Sequence, residues 1–433
     1  MRMDRPDAHG RRVARIAAGL AISFALTGCA GLPSPTSTVV APSNASPTAA
    51  ASPSSPISPA PVVSAAATAE PRVPSPSPAP ASTPSAAVRA ELQAILDAAV
   101  GADVPGVVAR VDVPGWSWTG VAGKAQVSPP ADADPAMHVR VASVSKIFTA
   151  VAILRLAEEG RLSLDDPIDR WLPAAYLERM KAFDTHRITI RDLLTHRSTI
   201  RDYDEMGVMI PAQMAQPDTP LSTDVAIFAG IDQGPADYAP GGGFEYSNPG
   251  YALLTRIIDE ASGTTYEEYL RATILDRLGM TETYLPTDPP MRTVPDPAMH
   301  AIMQTEAGGP WEDFTDMYVN WDRGSGDIIS TVSDLAVFHR ALREGRILDP
   351  ASFAQMRDFL PTEEGFSYGM GYERIPSAAL GVALEGHNGG YPGAVTDVFY
   401  LPERDAYITV ARNGNMVPVP VLRELVAVLL RAP

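Results

Sequence analysis

The stretch from residue 30 to residue 88 sets the first limit on what this chain can fold into. It is almost entirely proline, serine, alanine and threonine, as in "PSPTSTVVAPSNASPTAAASPSSPISPAPVV", and nearly free of charge. Such a composition cannot bury enough apolar surface to offset the entropy lost on ordering, so no packed core is expected there. As a flexible coil it would span about 40–45 Å, and a polyproline-like form several times that. The 433 residues therefore divide into three expected parts: 1–28, 29–88 and a folded domain over 89–433.

The first part carries Arg2, Arg5, Arg11, Arg12 and Arg15, followed by the apolar run "IAAGLAISFALTG". That run is short for a bilayer span and has the form of a signal-peptide core. It ends in "LTGC", which resembles the lipobox of bacterial lipoproteins, and Cys29 is the only cysteine in the chain. The resemblance implies lipidation at Cys29 and an extracytoplasmic protein. It would meet the membrane through its lipid anchor only, with residues 29–88 as the tether. One cysteine allows no internal disulfide, so the domain must be held by its core.

The domain is long for a single core, and one domain with a large insertion or two intimate lobes is expected. The net charge is −17, and close to −20 without the five Arg and two Asp of residues 1–28, which argues against nucleic acid as a partner. The seven histidines are scattered without metal-ligand spacing, so neither a metal nor a cofactor is expected. "AAVRAELQAILDAAVG" reads as a helix, and "PGVVARVDV" and "SWTGVAG" as strands. At the other end, "FSYGMGYERI", "GVALEGH", "AVTDVFYLP" and "AYITVARNG" read as four strands, followed by an amphipathic helix in "PVPVLRELVAVLLRA". Residues 160–325 read mostly as helix and loop. The expected fold class is α/β (α+β): an antiparallel sheet flanked by helices plus a mostly helical lobe, with a functional cleft between them.

The chain has only three lysines, Lys124, Lys146 and Lys181, and one of them opens the apolar helix "VSKIFTAVAILRLAEEG". Ser143 and Lys146 stand i and i+3, which places them one turn apart on one face. A nucleophilic serine needs a proton acceptor within hydrogen-bond reach, and this spacing supplies one. The helix N-terminus adds backbone N–H groups that can hold a developing oxyanion. A surface helix carrying an accidental pair is the plainer alternative. Two further features weigh against it. Tyr246-Ser247-Asn248 sits on the glycine-rich loop of "PGGGFEYSNPGYALL", where a phenol and a carboxamide can point into one cleft. His387-Asn388-Gly389 ends a strand in "LEGHNGGYPGAV", and no other histidine has a glycine two residues on. Tyr318-Val319-Asn320 repeats the Tyr-x-Asn pattern but lacks the Pro-Gly turn and the following helix.

Ser-x-x-Lys, Tyr-x-Asn about 100 residues later and His-x-Gly near the end together resemble the penicillin-recognising serine hydrolases. Within them the chain is most similar to the branch of class C β-lactamases and soluble D-alanyl-D-alanine carboxypeptidases. The segments "LSLDDPIDRWLP", "ITIRDLLTHRSTIRDY" and "GSGDIISTVSDLAVF" extend the resemblance over residues 90–433. It implies a β-lactamase/transpeptidase-like fold and an acyl-enzyme on Ser143. Lys146 and Tyr246 would handle protons, either with Lys146 neutral as the base or with Lys146 charged beside a Tyr246 phenolate. It also implies that Asn248 binds a substrate amide and that His387 takes the place of the third motif's basic residue. Asn388, Gly389 and Gly390 would line the substrate, and the Ser143 and Gly390 N–H groups would form the oxyanion hole.

The departures matter as much as the matches. The related carboxypeptidases carry hydroxyl residues where Asn388 and Gly390 stand. They also place an arginine, which helps grip a terminal carboxylate, where "YGMGYER" puts Glu373, with Arg374 next along. Either Arg374, or Arg412 on the last expected strand, could reach into the cleft and restore that grip. The resemblance therefore implies a hydrolase of amides, peptides or esters, acting as a monomer and carboxypeptidase-like, with a small molecule or a peptidoglycan stem peptide as substrate. A β-lactamase or carboxylesterase of the same fold is the first alternative, and a non-catalytic penicillin-binding sensor is the second.

Overall fold

The computed structural model describes residues 82–203 and 205–432. Cys29, the expected signal peptide and the tether up to residue 81 lie outside the described residues. From Ser82 the chain is already engaged, its N–H and hydroxyl both bonding the Gly115 carbonyl. The first helix, α1 (Ala86–Ala99), begins just ahead of the expected domain boundary, with Ser85 capping the Val88 N–H.

Among the described residues, nine strands form one antiparallel sheet. In chain order they are β1 (Gly106–Val113), β2 (Trp116–Gln126), β3 (Ala131–Asp132), β4 (Leu360–Pro361), β5 (Ser367–Tyr368), β6 (Glu373–Ser377), β7 (Val382–Tyr391), β8 (Ala394–Leu401) and β9 (Ala406–Asn413). Their order across the sheet is β3-β2-β1-β9-β8-β7-β6-β5-β4. Both faces are covered, which is why the central strands read as nearly unbroken apolar runs. Val107, Ala109 and Val111 of β1 and Ile408 and Val410 of β9 pack on α1 and on the C-terminal helix α5 (Val421–Arg431). Val108, Val398 and Ala411 face the other way, toward α2 (Ser145–Glu158), α3 (Asn248–Ser262) and α4 (Val332–Arg343).

The expected strand over "FSYGMGYERI" is broken in two. Gly371 adopts φ +62°, and a Cβ there would lie 2.6 Å from the Lys146 carbonyl oxygen, so the backbone leaves the sheet to pass close against α2. The histidine strand runs further than expected, through Gly389 and Gly390 to Tyr391, before the Pro392-Gly393 hairpin turns it into β8.

α2 is the centre of the molecule. Every residue from Ser145 to Leu154 is buried, and Phe148 stacks on Phe338 of α4 with ring centroids 3.7 Å apart. Burying each of Ile147, Phe148, Val151, Ile153 and Leu154 stabilises the fold by about 1.5–3 kcal/mol. Lys146, 0% exposed, is the one ionisable group on this helix stretch.

Candidate active site

The site is built where α2, the start of α3 and the far half of β7 meet. Ala142 stands in the left-handed region at φ +48°, a strain of about 1–2 kcal/mol for a residue with a Cβ. It begins a single 3₁₀ turn, Ala142–Val144, that carries Ser143 into α2. Gly389 packs against that turn: a Cβ on it would lie 2.2 Å from the Val141 oxygen and 2.9 Å from the Ser143 nitrogen. Only a glycine lets β7 come this near the Ser143 N–H. Ser145, the other serine beside Lys146, is fully buried, and its Oγ accepts the Ile328 N–H at 3.1 Å.

Lys146 Nζ lies 3.0 Å from Ser143 Oγ, 2.6 Å from Asn248 Oδ1 and 2.7 Å from the Ser325 carbonyl oxygen. As an ammonium it donates to all three. As a neutral amine it keeps two hydrogens for Asn248 and Ser325, which leaves its lone pair directed at the Ser143 hydroxyl. Burial pulls its pKa down from 10.5 to about 8, against the opposing charges of Asp322, Asp202, Glu205 and Glu373. About one molecule in ten is then neutral at pH 7.

Tyr246 is half-buried and hydrogen-bonded to Ser143, and burial holds its phenol well above the ordinary value. Lys146 Nζ sits over the face of its ring, 4.7 Å from the centroid. That arrangement opposes a resting phenolate and suits a neutral phenol beside a lysine base. Asn248 opens α3, after Ser247 caps the helix by accepting the Gly250 N–H at 3.1 Å. Asp202 accepts both the Asn248 N–H (3.0 Å) and its Nδ2 (3.3 Å), which fixes the amide with Oδ1 toward Lys146. One Nδ2 hydrogen is left for a ligand.

His387 is 1% exposed, and both its ring nitrogens are taken. The Ser247 N–H donates to His196 Nδ1 at 3.0 Å, so the His196 proton sits on Nε2 and points to Tyr368 Oη at 3.2 Å. Tyr368 in turn donates to His387 Nε2 at 3.0 Å, and His387 Nδ1–H faces the Asn388 carbonyl. Burial, with Lys146 close by, pushes His387 down to about 3 and His196 well below its ordinary value. This neutral relay joins the Tyr246 loop to β7, and His196 also lies against Tyr246 with centroids 4.2 Å apart.

Asn388 and Gly390 remain accessible on β7, whereas Gly389 is buried. Glu373 is 5% exposed, and its Oε2 is buried without a hydrogen-bond partner. Burial and the Asp397 carboxylate lift its pKa to about 8, so it is mostly protonated at neutral pH. Arg374 is exposed. Arg412 donates to the Asn415 and Val417 carbonyls at 3.0 and 2.7 Å. Asn320 of the second Tyr-x-Asn is buried and bonds the Thr287 carbonyl.

All the expected site residues of the domain fall in one region. The sequence reading missed Asp202, Asp322, Ser325, His196 and Tyr368. Asp202 and Asp322 lie inside segments already recognisable as "TIRDY" and just before "GSGD", but their roles depend on contacts 46 and 119 residues away. Among the described residues, no group of three or more His, Cys, Asp or Glu is arranged to hold a metal ion.

A family model described as Beta-lactamase matches residues 92–431. A penicillin-binding protein of Bacillus subtilis (strain 168) is 31% identical over 288 residues, 62% of this chain and 59% of that protein. The chain thus spans about three fifths of the length of that curated relative. The solved structure of a D-stereospecific amidohydrolase from Streptomyces sp. superposes with TM-score 0.68 at 27% identity, over 78% of this chain and 97% of the other. D-amino acid amidase from Ochrobactrum anthropi SV3, complexed with D-phenylalanine, gives TM-score 0.68 at 26% identity, over 80% and 99%.

Proposed function

Because the chain belongs to the beta-lactamase family and is a serine hydrolase of that fold, we propose that it cleaves amides or esters through an acyl-enzyme on Ser143. The observation that carries this is the buried Lys146 amine, lowered to about 8 and held 3.0 Å from Ser143 Oγ by two neutral acceptors. Neutral Lys146 takes the Ser143 proton as Oγ bonds to the substrate carbonyl carbon. The negative charge formed on the carbonyl oxygen is received by the N–H groups of Ser143 and Gly390. The bond from the carbonyl carbon to the leaving atom then breaks as Tyr246, protonated at rest, gives that atom its hydrogen, and the proton on Lys146 restores Tyr246. Water then repeats the sequence on the ester. His387 acts by position, fixing β7 through its relay.

The substrate reading favours acyl donors whose leaving end lacks a free carboxylate. Glu373 stands where a carboxypeptidase would want a cation, Arg412 is committed to the backbone, and an unanswered buried carboxylate is costly. The names of the amidase-type neighbours agree with this choice. Similarity to a penicillin-binding protein supports the second reading, a D-alanyl-D-alanine carboxypeptidase acting on stem peptides; the lipobox-like "LTGC" would anchor such an enzyme at Cys29, outside the cytoplasm. Steady-state kinetics on a p-nitrophenyl ester, a D-amino-acid amide and a D-alanyl-D-alanine peptide separates the two. The proposal expects the first two to have the higher kcat/KM; a peptide that is best of the three establishes the carboxypeptidase. Incubation with fluorescent penicillin, followed by intact mass, tells a stable adduct from turnover.

A further inference from the structure

Past the oxyanion strand, one side chain takes up the room where this chain departs from the related carboxypeptidases. Asn388 and Gly390 lie two apart on β7 and so point to one face, opposite His387 and Gly389. A Cβ built on Gly390 meets a single atom within 4 Å, the terminal methyl of Met416, at 2.6 Å. The position is therefore open to a side chain except for this thioether, which lies over the strand where a hydroxyl would otherwise stand.

Met416 is not there by accident of a loose loop. The Gly414 N–H bonds the Gly393 carbonyl, and the Asn415 N–H bonds the Asp103 carbonyl at 2.7 Å. The Asn415 side chain accepts the Gln304 N–H and donates to Asp103 Oδ1, at 2.9 and 2.8 Å. Arg412 clasps the carbonyls on both sides of Met416, those of Asn415 and Val417. Gly414 itself, at φ +112°, admits no Cβ, since one would lie 2.2 Å from the Asp103 oxygen. Tied at both ends, the loop presents one half-exposed apolar group to the cleft beside Gly390. Of the ionisable groups that share this region, Asp397 and the mostly protonated Glu373 are acids, and Arg412, the cation whose field reaches Asp397, has its donors on the carbonyls that hold Met416.

We propose that Met416 is a specificity-determining residue that makes the subsite beyond Gly390 apolar, selecting leaving groups that are uncharged and hydrophobic, such as aryl or alkyl alcohols and amines. The inference rests on the proposed Ser143 chemistry and adds to it the residue that chooses the leaving group. A polarisable, flexible thioether adapts to varied apolar surfaces, so the selectivity is for chemical class more than for one shape. A carboxylate seated there would lose water and gain only a methyl group in exchange.

The test uses the full chain and two chromogenic substrates with one acyl group, its 4-nitrophenyl and 3-carboxy-4-nitrophenyl esters, which differ by a carboxylate on the leaving group. Wild type should favour the neutral ester by about tenfold or more in kcat/KM. Met416→Lys should shrink that ratio by about tenfold, chiefly by raising the rate on the charged ester. Met416→Ala should lower kcat/KM for the neutral ester by about three- to tenfold and leave the charged one nearly unchanged. Ser143 labelling by a fluorophosphonate is measured on all three proteins, so a misfolded variant is recognised. If both variants label normally and keep the wild-type ratio, Met416 does not set the preference, and the inference is overturned while the Ser143 chemistry stands. If wild type itself takes no label at Ser143, the proposed function fails and this inference with it.

Discussion

Two buried cations lie on either side of one short loop, and they are solvated in opposite ways. Arg323 is clamped by carboxylates in direct contact: Asp259 at 2.7 and 2.8 Å, and Glu267 at 2.7 and 2.8 Å. Burial alone would lower its pKa, but those hydrogen bonds outweigh it and fix the charge. Lys146, reached from the same loop through the Ser325 carbonyl, touches only neutral acceptors, and among the described residues it makes no ion pair. Its four acidic neighbours act by field, not by contact, and burial prevails. A cation meant to stay charged is given carboxylate partners; one meant to shed a proton is given oxygens that hold the amine without paying for its charge.

The largest effects are expected at the two cations themselves. Lys146→Arg keeps a charge but supplies no base, and acylation of Ser143 should fall by about 10²–10⁴-fold in stopped-flow labelling. Near-normal labelling would make the lysine an electrostatic aid only. Arg323→Met should do the reverse. It strands Glu267, 3% exposed, and the partly buried Asp259, and should cost about 3–5 kcal/mol in urea unfolding. The pH inflection of the surviving activity should stay near 8, since Lys146 keeps its own partners.

Smaller effects are expected from the acids around Lys146. Asp322 is the strongest of the acids that hold Lys146 up, so Asp322→Asn should move the acid limb of kcat/KM to lower pH by about half a unit to one unit. Glu373 acts on Lys146 more weakly, and Glu373→Gln should move it the same way by a few tenths at most, about 0.2–0.3. A shift to higher pH in either variant would contradict the field account.

Ser143 and Lys146 were legible because their relation is local: i and i+3 on a helix is fixed by the chain itself. The central strands β1, β7, β8 and β9 and the C-terminal helix were legible for the same reason, through short apolar runs bounded by turns and through amphipathic spacing. The break at Gly371 was not, since it answers to the Lys146 carbonyl on another element. Nor was the relay of His196, Tyr368 and His387, whose members are 172 and 19 residues apart and bear no local mark beyond their residue type. His387 stood out by its glycine two residues on, yet the structure encloses it, and its part is to hold the strand. Asp202 and Asp322 were hidden in the same way: a buried acid that tunes a lysine by field leaves no spacing to read.

If neutral Lys146 activates Ser143, the pH dependence of Ser143 acylation must follow the lysine's titration. Labelling by a fluorophosphonate is followed by intact mass from pH 5.5 to about 9.5, with the site read by peptide mapping, on protein shown to be folded throughout. Stability does not oppose the measurement. The folded pKa of about 8 lies below the ordinary 10.5, so the unfolded chain binds the extra proton between them. The lysine's contribution to stability therefore rises with pH over that window. The account predicts label on Ser143 and a rate that climbs about tenfold per pH unit before levelling near pH 8. A rate flat across that range, or label on any other serine, would contradict it.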